Sequence, residues 1–140
     1  MPLTFRILPT RGLVVVRYVG FGTIDETMAA SAAYITHPDY ASGQKQLIDL
    51  THITGFEKDY VRFMEMQASK TERLAGAGVQ SIAVYVAPTP ISQEVSAMFV
   101  KSWADVDAVV PLVQSTEAEA LALLGQPEHS IQQMLAPAAG

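Results

Sequence analysis

One aspartate, one histidine and one serine in this chain are of the types that hydrolytic enzymes use, and they follow neighbouring predicted strands. Asp49 and His52 come at the end of one apolar run, and Ser92 comes shortly after the next. A hydrolytic triad needs a base within hydrogen-bonding reach of the serine and an oxyanion hole beside it. The Gly-x-Ser-x-Gly sequence that exposes a nucleophilic serine on a sharp turn is missing. We therefore predict no catalytic residue, and we expect Asp49 to accept hydrogen bonds from the Thr51 or His52 amide.

Two glycines, Gly20 and Gly22, stand between a predicted strand and a predicted helix, where dinucleotide-binding folds place a glycine-rich turn. Asp49 lies at the end of the next strand, about where such folds place the acid that binds ribose. The position of the third glycine holds Asp25, however, and Glu26 follows it. Two carboxylates in the first helical turn would repel a pyrophosphate. The sequence therefore predicts an ordinary strand-to-helix turn and no nucleotide cofactor.

The end of the predicted sheet where the strands finish offers polar groups that suit a small anion or carboxylate. After the fourth strand, Thr89 and Pro90 begin a helix whose first amides are unpaired and whose dipole is positive at that end. His52 would add a positive charge when protonated, below about pH 6.5. Helix caps and ordinary loop contacts can equally satisfy the same groups, so both alternatives stay open. The candidate ligand-binding residues are Gly22, Thr23, Thr51, His52, Thr54, Thr89 and Ser92.

The counts of cysteine and histidine argue against the common metal sites. The chain has no cysteine, which rules out disulfides and thiolate ligands, and its three histidines are scattered. His37 and His129 have no partner at the spacing of metal ligands. We predict no metal ion and no cofactor.

The composition is that of one folded domain. The chain has 140 residues, of which 49% are hydrophobic and 16% charged. It is therefore long enough to enclose a core without disulfides or structural metal ions. A formal net charge of −5 argues against sequence-independent binding to nucleic acid and against binding to an anionic membrane. No apolar run approaches the roughly 18 residues that a membrane span needs, and the first residues do not resemble a secretory leader. We expect a soluble, cytoplasmic protein whose partners are proteins or small molecules.

Five strands and four main helices alternate along the predicted domain. The strands are residues 3–8, 13–19, 44–50, 79–87 and 108–113. The helices run from Thr23 to near His37, where Pro38 stops the first one, over about 56–74, from Thr89 to near Asp105, and from Thr116 to Gly125.

This order, β-β-α-β-α-β-α-β-α, predicts an α/β fold. A hairpin supplies an antiparallel edge, and helical crossovers make the other strand pairs parallel. We expect residues 1–125 to form a single domain with a mixed five-stranded sheet. Residues 126–140 form a tail with a short docked turn or helix and a frayed end.

The spacing of apolar residues predicts which helix faces are buried. The stripe on the first helix is Met28, Ala32 and Ile35, and that on the second helix is Tyr60, Phe63, Met64, Ala68, Thr71 and Leu74. Met66 falls off its stripe, and with Val100 on the third helix it predicts an exposed apolar pair that a symmetric homodimer would cover. The predicted core comprises Val14, Val16, Ile48, Phe63, Ile82, Val84, Val86, Phe99 and Leu121.

The order of elements, together with a few residues at their junctions, resembles the STAS fold of sulfate transporters and anti-sigma-factor antagonists. The resemblance covers about residues 13–124. Among proteins of this fold, the chain most resembles the SpoIIAA-like, or STAS/SEC14-like, stand-alone bacterial proteins. This resemblance implies a non-catalytic interaction or regulatory domain that works through its helix surfaces. The residues that carry it are Gly20, Thr23, Pro38, Asp49-Leu50 and Glu117-Ala118.

The regulatory phosphoserine of the antagonists does not carry over to this chain. The resemblance implies an Asp-Ser-Ser-Gly type loop after the Asp-Leu strand end, with the phosphorylated serine in that loop. Here Asp49-Leu50 leads into Thr51-His52-Ile53-Thr54-Gly55-Phe56, which we predict to be a loop without that sequence. Two functions stay open: an interaction or regulatory domain, and a small-molecule binding protein or unassigned enzyme that uses the crevice at the strand ends.

Overall fold

A five-stranded mixed sheet forms the centre of the structure, a computed structural model that describes residues 3–75, 80–104 and 108–136. The strands are β1 (Leu3–Leu8), β2 (Leu13–Gly22), β3 (Lys45–Phe56), β4 (Ser81–Val86) and β5 (Val109–Gln114). The helices are α1 (Ile24–Ile35), α2 (Tyr60–Ala75), α3 (Pro90–Ser102), α4 (Glu117–Leu123) and α5 (Ile131–Leu135). The predicted α/β class and element order are confirmed. The predicted start of β4 at residue 79, the end of the third helix at Asp105, the Thr71 and Leu74 side chains and the frayed end beyond residue 136 lie outside the described part.

β1 and β2 form the predicted hairpin at one edge of the sheet. They pair antiparallel from Leu3 opposite Tyr18 to Leu8 opposite Leu13. The connection is one turn of 3-10 helix, closed by Gly12 at φ 61°. Glycine is favoured there because a Cβ strains this left-handed conformation.

All three helical crossovers advance by one strand in the same direction, because the strands lie in the order β1-β2-β3-β4-β5. The strands from β2 to β5 are parallel neighbours. Since such crossovers are right-handed, α1, α2 and α3 lie on one face of the sheet. The other face is covered by α4 and α5, which follow the last strand. The described sheet therefore has no point at which the strand order reverses, and such points are where open α/β sheets usually bind ligands.

Each face of the sheet carries its own apolar core. Under α1, α2 and α3, the rings of Phe56, Phe63 and Phe99 meet edge to face, with centroids 5.0 to 5.6 Å apart. The core under α4 and α5 is built from Leu, Val, Ile, Ala and Met side chains. Of the predicted core residues, Val16 and Ile82 are half-buried and the others are buried: Val14, Ile48, Phe63, Val84, Val86, Phe99 and Leu121.

β3 is longer than predicted, and the expected loop over residues 51–56 is strand. β2 and β3 stay paired as far as Gly22 opposite Phe56, with register shifts on the way. Gly20, at φ 83°, lies at one of these shifts. The extension is stabilised because Ile53 and Phe56 enter the core under the helices. The predicted loop is therefore wrong, since burial of Ile53 and Phe56 outweighs the turn propensity of Gly55.

α2 buries a different face from the predicted one. Met66 is only 4% exposed, whereas Met64 and Tyr60 are 48% and 57% exposed. The prediction that Met66 is an exposed contact is wrong, and Val100 is half-buried. The homodimer stays a prediction, but this pair no longer supports it.

The buried face of α2 includes polar residues, which explains the error. Phe63, Met66, Gln67 and half-buried Lys70 recur at three and four residues and turn toward the sheet. The Gln67 amide nitrogen donates to Ser102 Oγ at 2.9 Å. Because Ser102 on α3 accepts from this nitrogen, part of the cost of burying Gln67 is offset, and Gln67 lies where an apolar pattern predicts a solvent-facing residue.

Candidate functional site

The start of α3, where a ligand was predicted, is closed by its own residues. The Ser92 amide donates to Thr89 Oγ1 at 3.1 Å, and the Thr89 amide donates to Ser92 Oγ at 2.8 Å. Pro90 has no amide hydrogen, and Ser92 is fully buried. This reciprocal capping box takes up donors that an anion would need.

The start of α1 is surrounded by carboxylates. Thr23 caps the helix by accepting from the Glu26 amide at 3.2 Å, and Glu57 Oε1 accepts from the Ile24 amide at 3.0 Å. Asp25 and Glu26 both lie in the first helical turn. A bound anion would have to displace Glu57 and approach the other two charges, so this helix end is poorly suited to one.

The neighbouring Gly22 is buried against the ring of Phe56, which leaves no space for a side chain. A Cβ at this position would lie 2.5 Å from Cδ2 of Phe56. The glycine thus allows the close approach of β2 to the Phe56 ring.

The polar residues of β3 divide between an internal network and the surface. Asp49 Oδ1 accepts from the Thr51 amide at 3.0 Å, as predicted, and from Thr51 Oγ1 at 2.5 Å. Asp49 Oδ2 accepts from Arg17 Nε at 3.3 Å. His52 and Thr54 are exposed on the extended strand, and no hydrogen bond among the described residues joins His52 to Ser92. The structure does not assemble the triad, and anion binding at the strand ends stays a prediction.

A cavity that the sequence did not predict lies between the sheet and α1, α2 and α3. Its volume is about 90 Å³. The floor is aromatic and buried, and includes Tyr18, Tyr85, Phe99 and Trp103. The walls include half-buried residues such as Phe5, Tyr34 and Lys70. The cavity therefore extends from the core toward the surface between β1, α1 and α2.

Small residues on α1 account for this cavity. The helix turns Thr27, Ala30 and Ser31 toward the cavity, whereas Met28, predicted to be buried, is 46% exposed. Ala32 is exposed as well, so the predicted stripe of α1 is wrong at Met28 and Ala32, whereas Ile35 is half-buried and lines the cavity. Because short side chains face the sheet, the helix does not fill the space beneath it.

The tyrosine hydroxyls that line the cavity are hydrogen-bonded to protein. Tyr18 and Thr27 hydroxyls lie 2.9 Å apart, Tyr34 donates to Gln44 Oε1 at 2.6 Å, and Tyr85 accepts from the Trp103 indole nitrogen at 3.1 Å. Burial raises the pKa of Tyr18 to about 12 and raises the pKa values of Tyr34 and Tyr85 further. The phenols are therefore neutral at physiological pH.

Lys70 is the one formally charged residue among the described residues that line the cavity. No hydrogen bond or ion pair joins it to a described residue. Part of the side chain remains exposed, yet its burial lowers the pKa of the ammonium group to about 8. The cavity thus combines an aromatic floor with one unpaired cation.

Comparison with known proteins identifies the fold. No family model matches this chain, and no curated protein matches it by sequence. Among solved structures, the anti-sigma factor antagonist SpoIIAA in its unphosphorylated form is similar over 88% of this chain and 97% of its own, with a TM-score of 0.50 and 16% sequence identity. The chain has a STAS-like fold. At the level of fold, the resemblance that the sequence indicates is confirmed.

Two features of the sequence are related to the cavity of this STAS-like fold. The segment from residue 29 to 33 consists of alanine and serine alone, which leaves α1 without bulk. Lys70 lies seven residues after the buried Phe63, so it falls on the same side of α2. Neither signal was sufficient, because both depend on which face of each helix turns inward.

None of the helices in the described ranges is long and apolar enough to cross a membrane. Residues 3–75, 80–104 and 108–136 contain no group of three or more histidine, aspartate or glutamate side chains placed to hold a metal ion.

Proposed function

We propose that this chain is a non-catalytic STAS-type binding domain that holds a small, largely apolar molecule between its sheet and α1, α2 and α3. The observation that carries this function is the cavity beneath α1, with an aromatic floor whose hydroxyls are bonded to protein. Protein interiors are close-packed, so an opening of about 90 Å³ leaves part of the packing free energy unrealised. A ligand that fills it would recover part of that free energy.

The same site offers a route to regulation. A molecule beneath α1 would fix this helix against the sheet, and the outer side of α1 carries the exposed Met28. The described contacts between α1 and its neighbours include the ion pair of Asp25 with Arg62 of α2. Occupation of the cavity would therefore change how firmly the α1 and α2 surface is presented to a protein partner.

Anion binding at the strand ends is the weaker alternative. The capping box of Thr89 and Ser92 fills one helix start, and Glu57 occupies the other. His52 remains exposed there and available.

Filling the cavity tests the proposed function. Toluene is the probe, because it is a single uncharged ring, and the cavity of about 90 Å³ opens between half-buried walls that can contact the part of the ring it does not enclose. We expect toluene to raise the melting temperature of the wild type and to shift methyl resonances of cavity residues. Ala30→Leu should abolish both effects while the protein keeps or gains thermal stability, because the added carbons occupy the void.

Ala33→Leu is the matched control, since Ala33 is exposed on the same helix. It should bind toluene as the wild type does. No binding to the wild type, or equal binding to Ala30→Leu, would overturn the proposed function.

A further inference from the structure

We propose that the ligand of this cavity is a small monocarboxylic acid, with its aryl or short alkyl group on the aromatic floor and its carboxylate paired with Lys70. This inference rests on the proposed function and names its ligand class. It starts from the position of Lys70 on the inward side of α2, in line with Phe63, Met66 and Gln67.

An unpaired ammonium group in such a place is unfavourable. Half-burial removes part of the water around this charge, which carries a penalty unless an opposite charge or hydrogen bonds compensate for it. The described lining has no aspartate or glutamate to serve as partner. A carboxylate from a ligand would therefore supply the missing counter-charge.

The one positive charge in the described lining of the cavity favours a ligand with a single negative charge. A cationic ligand would be repelled by Lys70, and a neutral one would leave the ammonium group unpaired. A phosphate monoester carries nearly two negative charges, and the described lining offers one positive charge. A monocarboxylate matches the site.

Ser31 and Gln46 also line the cavity, and their side chains have no hydrogen-bond partner among the described residues. Both can donate a hydrogen bond. They are available to a second carboxylate oxygen without displacing a bond within the protein.

The size of the cavity limits the rest of the ligand. The volume of about 90 Å³ is smaller than the roughly 150 Å³ of a cavity that holds benzene. One ring, or a branched chain of a few carbons extending toward the half-buried walls, is the largest group that fits without displacing α1.

The ionisation of Lys70 gives the pairing a pH signature. Burial lowers the Lys70 pKa to about 8 in the free protein, and an adjacent carboxylate would raise it again by favouring the charged form. The other titratable groups that line the cavity are Tyr34 on α1, Tyr18 on β2 and Tyr85 on β4, and all three are neutral in this range. Affinity for the acid should therefore fall about tenfold per pH unit above pH 8.

The test compares acids with neutral molecules of the same shape. Benzoate, phenylacetate and isovalerate are each paired with the corresponding primary amide, and binding is measured by calorimetry at pH 7 and pH 9.5. We expect the wild type to prefer at least one acid over its amide by tenfold or more at pH 7, and to lose most of that preference at pH 9.5.

Lys70→Met keeps the length of the side chain and removes its charge. It should abolish the preference for the acid and leave amide binding within about twofold. Lys101→Met, at an exposed position on α3, should behave as the wild type. Melting curves of both variants establish that they fold.

The outcomes separate this inference from the proposed function. Equal binding of acids and amides by the wild type, or an acid preference that survives in Lys70→Met, overturns the carboxylate assignment and leaves the cavity as an apolar site. If the wild type binds none of the six compounds, the carboxylate assignment is overturned. If the wild type also fails to bind toluene, the proposed function is overturned.

Discussion

Arg11 and Glu128 are joined by a two-pronged ion pair, with Arg11 Nη1 donating to Glu128 Oε1 at 2.8 Å and Nη2 donating to Oε2 at 2.7 Å. Arg11 Nη1 also donates to Gln126 Oε1 at 2.7 Å. The pair connects the turn of the first hairpin to the segment before α5. It therefore fixes the C-terminal part of the chain to the edge of the sheet where the chain begins.

Glu128→Gln should loosen α5. The parallel hydrogen bonds to Arg11 hold the pKa of Glu128 below its ordinary value of 4.5 and raise that of Arg11. Because the folded-state pKa is depressed, the contribution to stability is present above the unfolded pKa and is lost as pH falls through the folded one. We expect faster amide hydrogen exchange in Ile131–Leu135 at neutral pH, and a difference from the wild type that shrinks below about pH 4.5.

Glu94→Gln is the control for this ion-pair variant. Glu94 lies 3.8 Å from Lys58, and both side chains are largely exposed. Such pairs contribute little to stability. Exchange in α5 that is the same in Glu128→Gln and Glu94→Gln would contradict the proposed tether.

Truncation of the aromatic core should destabilise the whole domain. The rings of Phe63 and Phe99 meet edge to face with centroids 5.0 Å apart, and both residues are buried. Phe63→Ala and Phe99→Ala should each lower the free energy of unfolding by about 3–5 kcal/mol, through lost transfer energy and the cavity left behind. Urea titration measures this change. Tyr60→Ala, at an exposed position, should change it by less than about 0.5 kcal/mol.

Two methionines on α2 test which side of this helix is buried. Met66→Ala should lower the free energy of unfolding by about 2–5 kcal/mol, because its side chain packs in the core under the helices. Met64→Ala should have an effect below about 0.5 kcal/mol, because Met64 is half-exposed. If Met64→Ala destabilised the protein more than Met66→Ala in thermal or urea unfolding, the buried face of α2 would be the one that the apolar spacing predicts.

The strand ends can be tested for anions with a thermal-shift measurement near pH 6. If they bind acetate or phosphate, saturation at a hundred times the dissociation constant stabilises the fold by roughly 2.7 kcal/mol. The shift should be smaller in His52→Ala and unchanged in His129→Ala, where the exposed histidine lies in the tail. Ser92→Ala is a poor variant for this purpose, because it breaks the cap of α3. Equal shifts in the wild type and His52→Ala would count against a site there.

Features that depend on a few neighbouring residues could be predicted from the sequence. The sequence predicts that helices start at Thr23, Thr89 and Thr116, and each of these side chains accepts a hydrogen bond from the amide three residues later. Pro9 and Gly12 frame the turn of the hairpin. Caps and turns are determined locally, because donor and acceptor lie within four residues of each other.

Element order also decided the topology. A strand-helix-strand unit of this length has one favoured handedness, so the alternation of elements leads to a mixed sheet with its crossover helices on one side. The core of the sheet followed from the same reasoning, because runs of β-branched residues have to be buried.

Only the tertiary structure decided how each helix is rotated and where the strands end. Met66 and Met64 are chemically identical, and which one is buried depends on how α2 is rotated against the sheet and α3, where Ser102 accepts a hydrogen bond from the buried Gln67. β3 continues past Leu50 because β2 provides a partner and the helices cover Ile53. The cavity and its unpaired Lys70 exist because small residues of α1 face large ones of the sheet across a gap, which is a relation between segments distant in sequence.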